Sequence, residues 1–382
     1  MGILITGVNG FIGKNLKQHL SEAGINFCSY AHSENISLLP NLLKDVDFIF
    51  HLAGVNRPDN ISDFFLGNVV LTQELSNAVA KEVETSGRHI TIVYASSIQA
   101  DEKNDYGVSK KTAENILLDL QQRLGVTIFI YRLPHIFGKW CKPNFNSVVA
   151  TFCFNIANKI PIEVDDPKKV IKLVYIDDLI ASFLNLLKET LRDNYKRKAI
   201  GNYRSVDKYF TLSIEELSNL IFSLSTGREA FAVDRVGHGL ARALYATYIS
   251  YLPNKSFSYV LTQHNDSRGV FVEFFKTPDC GQVSYFTARP GASRGAHYHH
   301  SKVEKFLVVK GRANFKFRNI LSDVVYEYIT SDEKPEVVES IPGWAHEITN
   351  IGNEEIIVIL WANEVFDSKN PDTFPCELKV KI

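Results

Sequence analysis

The chain has no long basic tract, no C-x-x-C motif and no apolar run of the roughly 18 residues that a membrane-spanning helix needs. Lys and Arg total 42 while Asp and Glu total 43, and this balance argues against nucleic acid as a main partner. The five cysteines are typical of reduced thiols, and the opening GILITG lacks the pattern of a signal peptide. We therefore expect a cytoplasmic protein that binds no nucleic acid and does not insert into a membrane.

The hydrophobic pattern changes along the 382 residues, which exceed the usual length of one domain. Over residues 1–245, apolar runs such as ILIT, DFIFHLAG and HITIVYAS alternate with helical stretches, which indicates a parallel sheet covered on both faces. Over residues 246–382, short strand-like runs are separated by turns rich in Gly, Pro, Asn and Asp. The sequence therefore predicts a doubly wound, Rossmann-type α/β domain followed by an all-β sandwich or jelly roll.

The segment TGVNGFIG follows the first strand and opens a helix, with Gly7, Gly10 and Gly13 at three-residue intervals. The first glycine allows a tight turn, the second lets the backbone approach a pyrophosphate, and the third lets helix and strand pack closely. The first helical residues, Phe11 and Ile12, offer N–H groups and a positive dipole end to phosphate. This context predicts a dinucleotide site.

Tyr106 and Lys110 lie one helical turn apart in YGVSK and share a face of the helix. A lysine charge lowers a phenol pKa and can hold a nicotinamide ribose, so the tyrosine can pass a proton to a carbonyl oxygen. Ser96 and Ser97 end the preceding strand, where a hydroxyl would polarise the same oxygen. We favour this catalytic interpretation over a buried tyrosine beside a surface lysine.

The order of these motifs resembles the extended short-chain dehydrogenase/reductase family over about residues 1–245. HLAG matches the family's cofactor-flanking strand end, Asn68 its helix asparagine, and YRLPHIFG its segment after a later strand. The resemblance implies that Ser97 is the catalytic hydroxyl and Ser96 the second choice. It also implies a set of cofactor-binding residues: Gly7, Gly10, Phe11, Ile12, Gly13, His32, Leu52, Ala53, Gly54, Asn68, Tyr106, Lys110 and Pro134.

Two departures from this family define the expected reaction. Ser97 is followed by Ile98 and Gln99, where related 4,6-dehydratases carry an Asp-Glu pair, so we expect hydride transfer without elimination. The second strand ends in SYAHS, without the acidic residue that would hold an NAD ribose. We therefore expect NADPH, with His32 and Ser33 near its 2′-phosphate.

The stretch GASRGAHYHHSKVEKFLVVKG, from Gly291 to Gly311, concentrates possible metal ligands. Residues two apart on a strand face the same way, so His297 and His299 can converge, and Glu304 can reach the same centre from the next strand. IPGWAHEITN adds His346. Three imidazoles and one carboxylate suit a divalent transition metal, with zinc our first choice and iron, manganese and nickel left open. The alternative is that these histidines are hydrogen-bonded core residues or belong to a solvated turn.

The spacing G-x₅-H-x-H-x₄-E-x₆-G resembles the first motif of the cupins, and IPGWAHEITN resembles the second. The segments around Arg268 and Arg294 also resemble metal-free sugar-nucleotide 3,5-epimerases, in which arginines hold diphosphate and a histidine, here His297, is the base. The complete cupin spacing favours a metal ligand at His297. The catalytic base is left open among Lys302, His300 and Tyr298, and the substrate-binding residues are predicted to be Arg132, Asn146, Arg268 and Arg294.

Taken together, GVNRP, SSIQA, FGKWCKPN and WANEVFD resemble bifunctional capsular-polysaccharide enzymes that join such a reductase to a cupin. The resemblance implies a homodimer acting on UDP-2-acetamido-2,6-dideoxy-β-L-arabino-hexos-4-ulose. The cupin would epimerise C3, and the reductase would then reduce C4 with NADPH to the L-talose sugar, a precursor of N-acetyl-L-fucosamine. One alternative is a single-function 4-ketoreductase with a structural cupin. Another is a redox-sensing protein without turnover, which the Tyr/Lys pair argues against.

Overall fold

The computed structural model describes residues 2–31, 34–58, 60–192, 202–230, 232–261, 263–266, 269–272, 281–364 and 369–378. Packing divides the chain into two compact units, one of residues 1–147 and 172–211 and the other of residues 148–171 and 212–382. The boundary at residue 245 stays a prediction, because these units are defined by packing and not by a single break in the chain. Within the described residues, no helix is long and apolar enough to cross a bilayer.

Strands and helices alternate up to residue 249. The strands are β1 Gly2–Thr6, β2 Cys28–Tyr30, β3 Val46–His51, β4 Thr91–Ser97, β5 Thr127–Leu133, β6 His135–Phe137, β7 Val170–Tyr175, β8 Tyr203–Arg204 and β9 Phe210–Ser213. The α-helices are α1 Phe11–Glu22, α2 Leu39–Leu42, α3 Ser62–Phe64, α4 Leu71–Ser86, α5 Asp105–Leu124, α6 Val148–Ala157, α7 Ile176–Arg192, α8 Ile214–Glu229 and α9 Gly239–Ile249. A π-helical turn, Phe65–Val70, joins α3 to α4.

The first unit is built on a parallel sheet in the order β2-β1-β3-β4-β5-β8, counted over the described residues. Its central strands β1, β3, β4 and β5 are mostly apolar and buried because helices cover both faces. On one face, Ile49 and Ile92 pack with Leu75 of α4 and Leu117 of α5. On the other face, Phe50 contacts Phe183 of α7. The strand order reverses at β1 and β3, the position at which such sheets bind ligands. The predicted Rossmann-type fold is confirmed.

Helix α5 carries the Tyr/Lys pair and has strong signals at both ends. The side chain of Asn104 caps its N-terminus by accepting a hydrogen bond from the Gly107 N–H at 2.7 Å. Gly125 ends it in the left-handed conformation, with φ of 70°. The ends of this helix are therefore set by the local sequence.

The second unit contains α6, α8 and α9 together with strands that form antiparallel sheets. These strands are β10 Ser258–Val260, β11 Gln263–Asp266, β12 Gly269–Val272, β13 Gln282–Ala288, β14 Ser293–Tyr298, β15 Glu304–Lys310, β16 Arg312–Asn319, β17 Val325–Ser331, β18 Glu336–Glu339, β19 Trp344–Asn350, β20 Ile356–Ala362 and β21 Phe374–Pro375. Within the described chain, two five-stranded sheets have the orders β10-β18-β15-β20-β13 and β17-β16-β19-β14-β21. Phe306 and Val358 of one sheet pack against Phe315 and Ile348 of the other. This sandwich confirms the predicted jelly roll.

A buried ionic cluster also lies inside the second unit. The Glu339 carboxylate is fully buried and accepts hydrogen bonds from Arg228 Nε at 2.9 Å and from Lys305 Nζ. Lys305 also donates to the Tyr259 hydroxyl at 3.2 Å. One buried carboxylate therefore compensates the positive charges of Arg228 and Lys305.

Candidate active site and candidate metal centre

A cavity of about 700 Å³ lies in the first unit, where β1, β3, β4 and β5 end. Neighbouring parallel strands bring their carboxyl ends to one edge of the sheet, so loops far apart in sequence meet there. The cavity is lined by many of the residues singled out in the sequence: Gly7, Gly10, Phe11, Ile12, Gly13, Leu52, Gly54, Ser96, Ser97, Tyr106, Lys110, Pro134 and Asn146.

The glycine loop has no room for side chains at two positions. Gly7 has φ of +72°, and a Cβ there would lie 2.6 Å from the backbone nitrogen of Ala53. A Cβ on Gly13 would lie 2.2 Å from the Gly7 carbonyl oxygen, because α1 packs directly on the turn. Gly10 immediately precedes α1 in an extended conformation. The free N–H groups of the first turn of α1 suit a phosphate.

A hydrogen-bonded chain fixes the end of β3. The Thr72 hydroxyl donates to the Asn68 carbonyl at 2.6 Å and lies 2.9 Å from His51 Nε2, so Nε2–H is the donor to Thr72. His51 Nδ1 then accepts from the Thr6 hydroxyl at 2.7 Å, and that hydroxyl accepts from the Ala53 N–H at 3.2 Å. Burial lowers the pKa of His51 to about 3, so the ring is neutral. The sequence HLAG carries no signal for this role of its histidine.

Asn68 holds the segment after β3. Its Oδ1 accepts from the Val55 N–H at 2.8 Å, and its Nδ2 donates to the Val55 carbonyl at 2.8 Å and to the Ser109 hydroxyl at 2.9 Å. These bonds use the buried side chain to tie the loop carrying Gly54 to α5. Direct cofactor contacts from Asn68 and from Ala53 stay predictions.

Tyr106 and Lys110 face the cavity together with Ser97. Burial raises the pKa of Tyr106, and a hydrogen bond with Ser97 partly offsets that rise. The phenol is therefore protonated at neutral pH and ready to donate a proton. Lys110 Nζ donates to the Ala95 carbonyl at 2.9 Å, and burial lowers its pKa to about 8 although the charge of Glu114 opposes the change. The ammonium thus stays charged at pH 7.

The two serines at the end of β4 have different partners. The Ser96 hydroxyl donates to Glu114 Oε1 at 2.6 Å, while Ser97 accepts from the Gln99 N–H at 3.2 Å and contacts Tyr106. Glu114 also receives two hydrogen bonds from Arg132, at 2.9 and 2.7 Å. Ser97 is therefore the hydroxyl associated with the tyrosine, and Arg132 braces α5 through Glu114. The substrate-binding role of Arg132 stays a prediction. Glu114 had no role in the sequence analysis, although its i+4 spacing from Lys110 places the two residues on the same face of the helix.

Four predicted metal ligands converge in the second unit. His297, His299, Glu304 and His346 each offer a ligand atom, and these atoms all lie within 4.8 Å of one another. His297 pairs across the sheet with His346 beside a bulge at Gly295, whose φ is +107°. Residues directly opposite each other on antiparallel strands point to the same face of the sheet, so this pairing brings the two imidazoles together. Burial is the main cause that lowers the pKa of His297 to about 4 and also lowers the pKa of His346, so both rings are neutral ligands.

The hydrogen bonds of the cluster fit a cation. His299 Nδ1 lies 2.6 Å from the Asp372 carbonyl, which can only accept, so Nδ1 carries the proton. His299 Nε2 faces Glu304 Oε2 at 3.0 Å, and the same oxygen lies 3.3 Å from His346 Nε2. Burial would raise the pKa of Glu304, but His299 and His346 outweigh it and hold the pKa well below its ordinary value. A carboxylate facing imidazole nitrogens is the donor set that a divalent transition metal takes.

The remaining predicted residues are ligand-binding residues and possible catalytic bases. Arg294 donates through Nε to the Thr287 carbonyl at 2.8 Å and is exposed, whereas His32 and Arg268 lie outside the described residues. Of the possible bases, Lys302 uses its Nζ to bind the Pro371 carbonyl at 3.0 Å. His300 and Tyr298 are buried and pack against Phe374. The base stays unassigned.

The fold and this cavity are typical of proteins that bind a nicotinamide dinucleotide, and the chain belongs to the NAD dependent epimerase/dehydratase family, whose model matches residues 3–200. A second model, the polysaccharide biosynthesis C-terminal domain, matches residues 264–374. The family supports a nicotinamide dinucleotide as the cofactor.

Three individual proteins refine this similarity. A Pseudomonas aeruginosa protein described as UDP-2-acetamido-2,6-beta-L-arabino-hexul-4-ose reductase is 48% identical over 379 residues, which cover 99% of each chain. The crystal structure of the capsular polysaccharide assembling protein CapF from Staphylococcus aureus has a TM-score of 0.63 and 38% identity, covering 99% of this chain and 100% of that one. The whole-chain resemblance predicted from sequence is confirmed. UDP-glucuronic acid 4-epimerase from Bacillus cereus has a TM-score of 0.51 at 19% identity, covering 59% of this chain and 83% of its own, and shares the fold alone.

Proposed function

We propose that the protein reduces the C4 ketone of UDP-2-acetamido-2,6-dideoxy-β-L-arabino-hexos-4-ulose with NADPH, after its second unit has epimerised C3. The product is the corresponding L-talose sugar nucleotide. The observation that carries the proposal is that Ser97, Tyr106 and Lys110 line the same cavity as the glycine loop. The name of the 48% identical relative, a reductase of such a 4-keto sugar, supports the substrate.

In the reductase site, each residue has a defined task. A bound nicotinamide dinucleotide supplies the hydride. The N-terminus of α1 holds phosphate, and Gly7 and Gly13 leave room for backbone approach. Protonated Tyr106 donates its proton to the C4 oxygen, while Ser97 donates a hydrogen bond to that oxygen. The Lys110 ammonium stabilises the tyrosinate that results.

The preference for NADPH rests on the sequence at the end of β2. The strand closes with Ser29 and Tyr30, and no carboxylate follows before Glu34. A carboxylate on the residues directly after the strand would repel a 2′-phosphate, so Ala31, His32 and Ser33 favour the phosphorylated cofactor, although Glu34 Oε2 accepts a hydrogen bond from the Ala31 N–H. Comparing kcat/KM for NADPH and NADH tests this preference directly.

In the second unit, His297, His299, Glu304 and His346 would hold a divalent cation, and we propose zinc. Such a cation supplies a Lewis acid that polarises a carbonyl oxygen. The lowered pKa values of His297 and His346 keep these two imidazoles neutral, and the low pKa of Glu304 keeps its carboxylate ionised. A C3–H beside a ketone is acidic, so removing that proton and returning it from the other face inverts C3. Reduction removes the ketone, and epimerisation must therefore come first. The homodimer stays a prediction.

A single-function 4-ketoreductase with a structural metal site is the second candidate. The name of the Pseudomonas aeruginosa relative mentions only a reductase, which favours this simpler assignment. The two candidates differ in one observable, which is the exchange of the substrate C3–H with solvent in the absence of NADPH.

NMR of the 4-keto substrate in D₂O separates the candidates. The bifunctional enzyme should place deuterium at C3 without NADPH, and a chelator should abolish this exchange. Tyr106→Phe should keep the exchange but lower NADPH oxidation by about 10²–10⁴-fold, since it loses the proton donor. Tyr131→Phe is the matched control. The Tyr131 hydroxyl lies 3.0 Å from the Ser182 hydroxyl, and Tyr131 does not line the cavity. If the enzyme reduces the ketone but does not exchange the C3–H, it is the single-function 4-ketoreductase. Full reductase activity in Tyr106→Phe would refute the proposed reductase site.

A further inference from the structure

Asp372 binds the turn that follows the metal-binding strand β14. Its carboxylate accepts hydrogen bonds from three successive backbone N–H groups, those of His300 at 2.9 Å, Ser301 at 2.9 Å and Lys302 at 2.7 Å. The Ser301 hydroxyl also donates to it, at 3.0 Å. Hydrogen bonds to an ionised acceptor are about twice as strong as neutral ones, so this carboxylate is a strong anchor for the turn.

The same residue also contacts the metal cluster through its backbone. The Asp372 carbonyl accepts the hydrogen bond from His299 Nδ1 at 2.6 Å, while Nε2 of the same ring faces Glu304 Oε2 at 3.0 Å. One residue therefore fixes both the turn that follows His299 and the orientation of its ring. Metal-binding histidines commonly depend on such a hydrogen bond from the ring nitrogen that does not bind the metal.

We propose that Asp372 is the positioning residue for His299 as a metal ligand. Its side chain fastens residues 300–302, and this brings its own carbonyl to His299 Nδ1. The inference rests on the proposed metal site and adds a residue that lies 73 positions from His299 along the chain. Asp372 has φ of +38°, a left-handed conformation that aspartate tolerates better than most residues.

The neighbouring Thr373 provides a matched control. Its hydroxyl accepts from Lys302 Nζ at 2.7 Å and donates to the Pro371 carbonyl at 2.9 Å, so it fastens the same segment to the same turn. It makes no hydrogen bond with His299. Thr373→Val removes a fastening of similar type while leaving the bond between Asp372 and His299 in place.

Binding of Co²⁺ alone to the metal-depleted full-length protein tests the inference, with the visible ligand-field spectrum and the Kd as readouts and Zn²⁺ competition as a second measure of affinity. Asp372→Ala should weaken Co²⁺ binding by about 10–100-fold and change the spectrum, because His299 loses its orientation. Asp372→Asn keeps a residue that tolerates the left-handed backbone and one acceptor oxygen, so its Kd should lie between those of the wild type and Asp372→Ala. Thr373→Val should keep the wild-type spectrum.

The outcomes distinguish failure of the positioning role of Asp372 from failure of the proposed metal site. If the wild type binds no Co²⁺ or Zn²⁺, the proposed metal site itself fails. If the wild type binds but both Asp372 variants keep its Kd and spectrum, only the positioning role is refuted. Equal loss in Thr373→Val would also refute it, since any loosening of the segment would then have the same effect. If Asp372→Ala does not fold, the spectrum of Asp372→Asn decides the question.

Discussion

Lys110→Met is expected to make the protein more stable while it abolishes ketone reduction. Burial lowers the pKa of Lys110 from 10.5 to about 8, so keeping the ammonium charged in the folded state costs free energy. A difference of about 2.5 pKa units corresponds to about 3 kcal/mol. Methionine lacks this charge but also lacks the hydrogen bond to the Ala95 carbonyl, which is worth about 1 kcal/mol. The expected net gain in the free energy of unfolding at neutral pH is about 2 kcal/mol.

The pH dependence carries the same argument. The folded-state pKa of Lys110 lies below its unfolded value, so the unfolded chain binds more protons between pH 8 and 10.5, and stability rises with pH over that interval. The wild type should therefore gain about 2 kcal/mol relative to Lys110→Met between about pH 7.5 and about pH 9.5. The free energy of unfolding, measured in urea for the transition that includes the first unit, gives this difference.

Lys111→Met is the control on the same helix. Lys111 is 40% exposed and pairs with Asp101 at 3.4 Å, so its loss should change stability by less than about 1 kcal/mol and leave the pH dependence unaltered. The reasoning is refuted if Lys110→Met is less stable than the wild type at pH 7. It is equally refuted if the two proteins show parallel pH profiles, because the lysine would then not be carrying a buried charge.

Two further predictions concern neighbouring serines and the buried ionic cluster. Ser97→Ala should lower kcat for ketone reduction by about 10²–10³-fold. Ser96→Ala should mainly lower the stability, because the Ser96 hydroxyl donates its hydrogen bond to Glu114. Equal losses of kcat in the two variants would contradict these separate roles. Glu339→Gln should lower the free energy of unfolding by about 3–5 kcal/mol, since Arg228 and Lys305 would keep buried charges without a counter-ion. The exposed Glu327→Gln should leave the urea midpoint nearly unchanged, and a similar midpoint for Glu339→Gln would contradict the reasoning.

The glycine loop, the Tyr/Lys pair and the histidine spacing are local patterns, and each can be recognised in sequence because its members are bound by fixed geometry. Gly7 and Gly13 must be small because the backbone is crowded there, and Tyr106 and Lys110 share a helix face. The partners of these groups follow no such spacing. His51 and Asp372 act through hydrogen bonds to residues distant in the chain, so no sequence spacing indicates their roles.

From the sequence alone it was possible to predict the order of the two folds, many of the residues that line the cavity and the four side chains of the candidate metal centre. Periodicity and glycine placement are short-range properties, and they are readable without knowing what packs against what. Folding was needed to reveal the contact of Ser97 with Tyr106, the pairing of Arg132 with Glu114 and the hydrogen bond from the ring of His299 to Asp372. These choices depend on which buried polar group finds which partner, and folding settles that by bringing distant parts of the chain together.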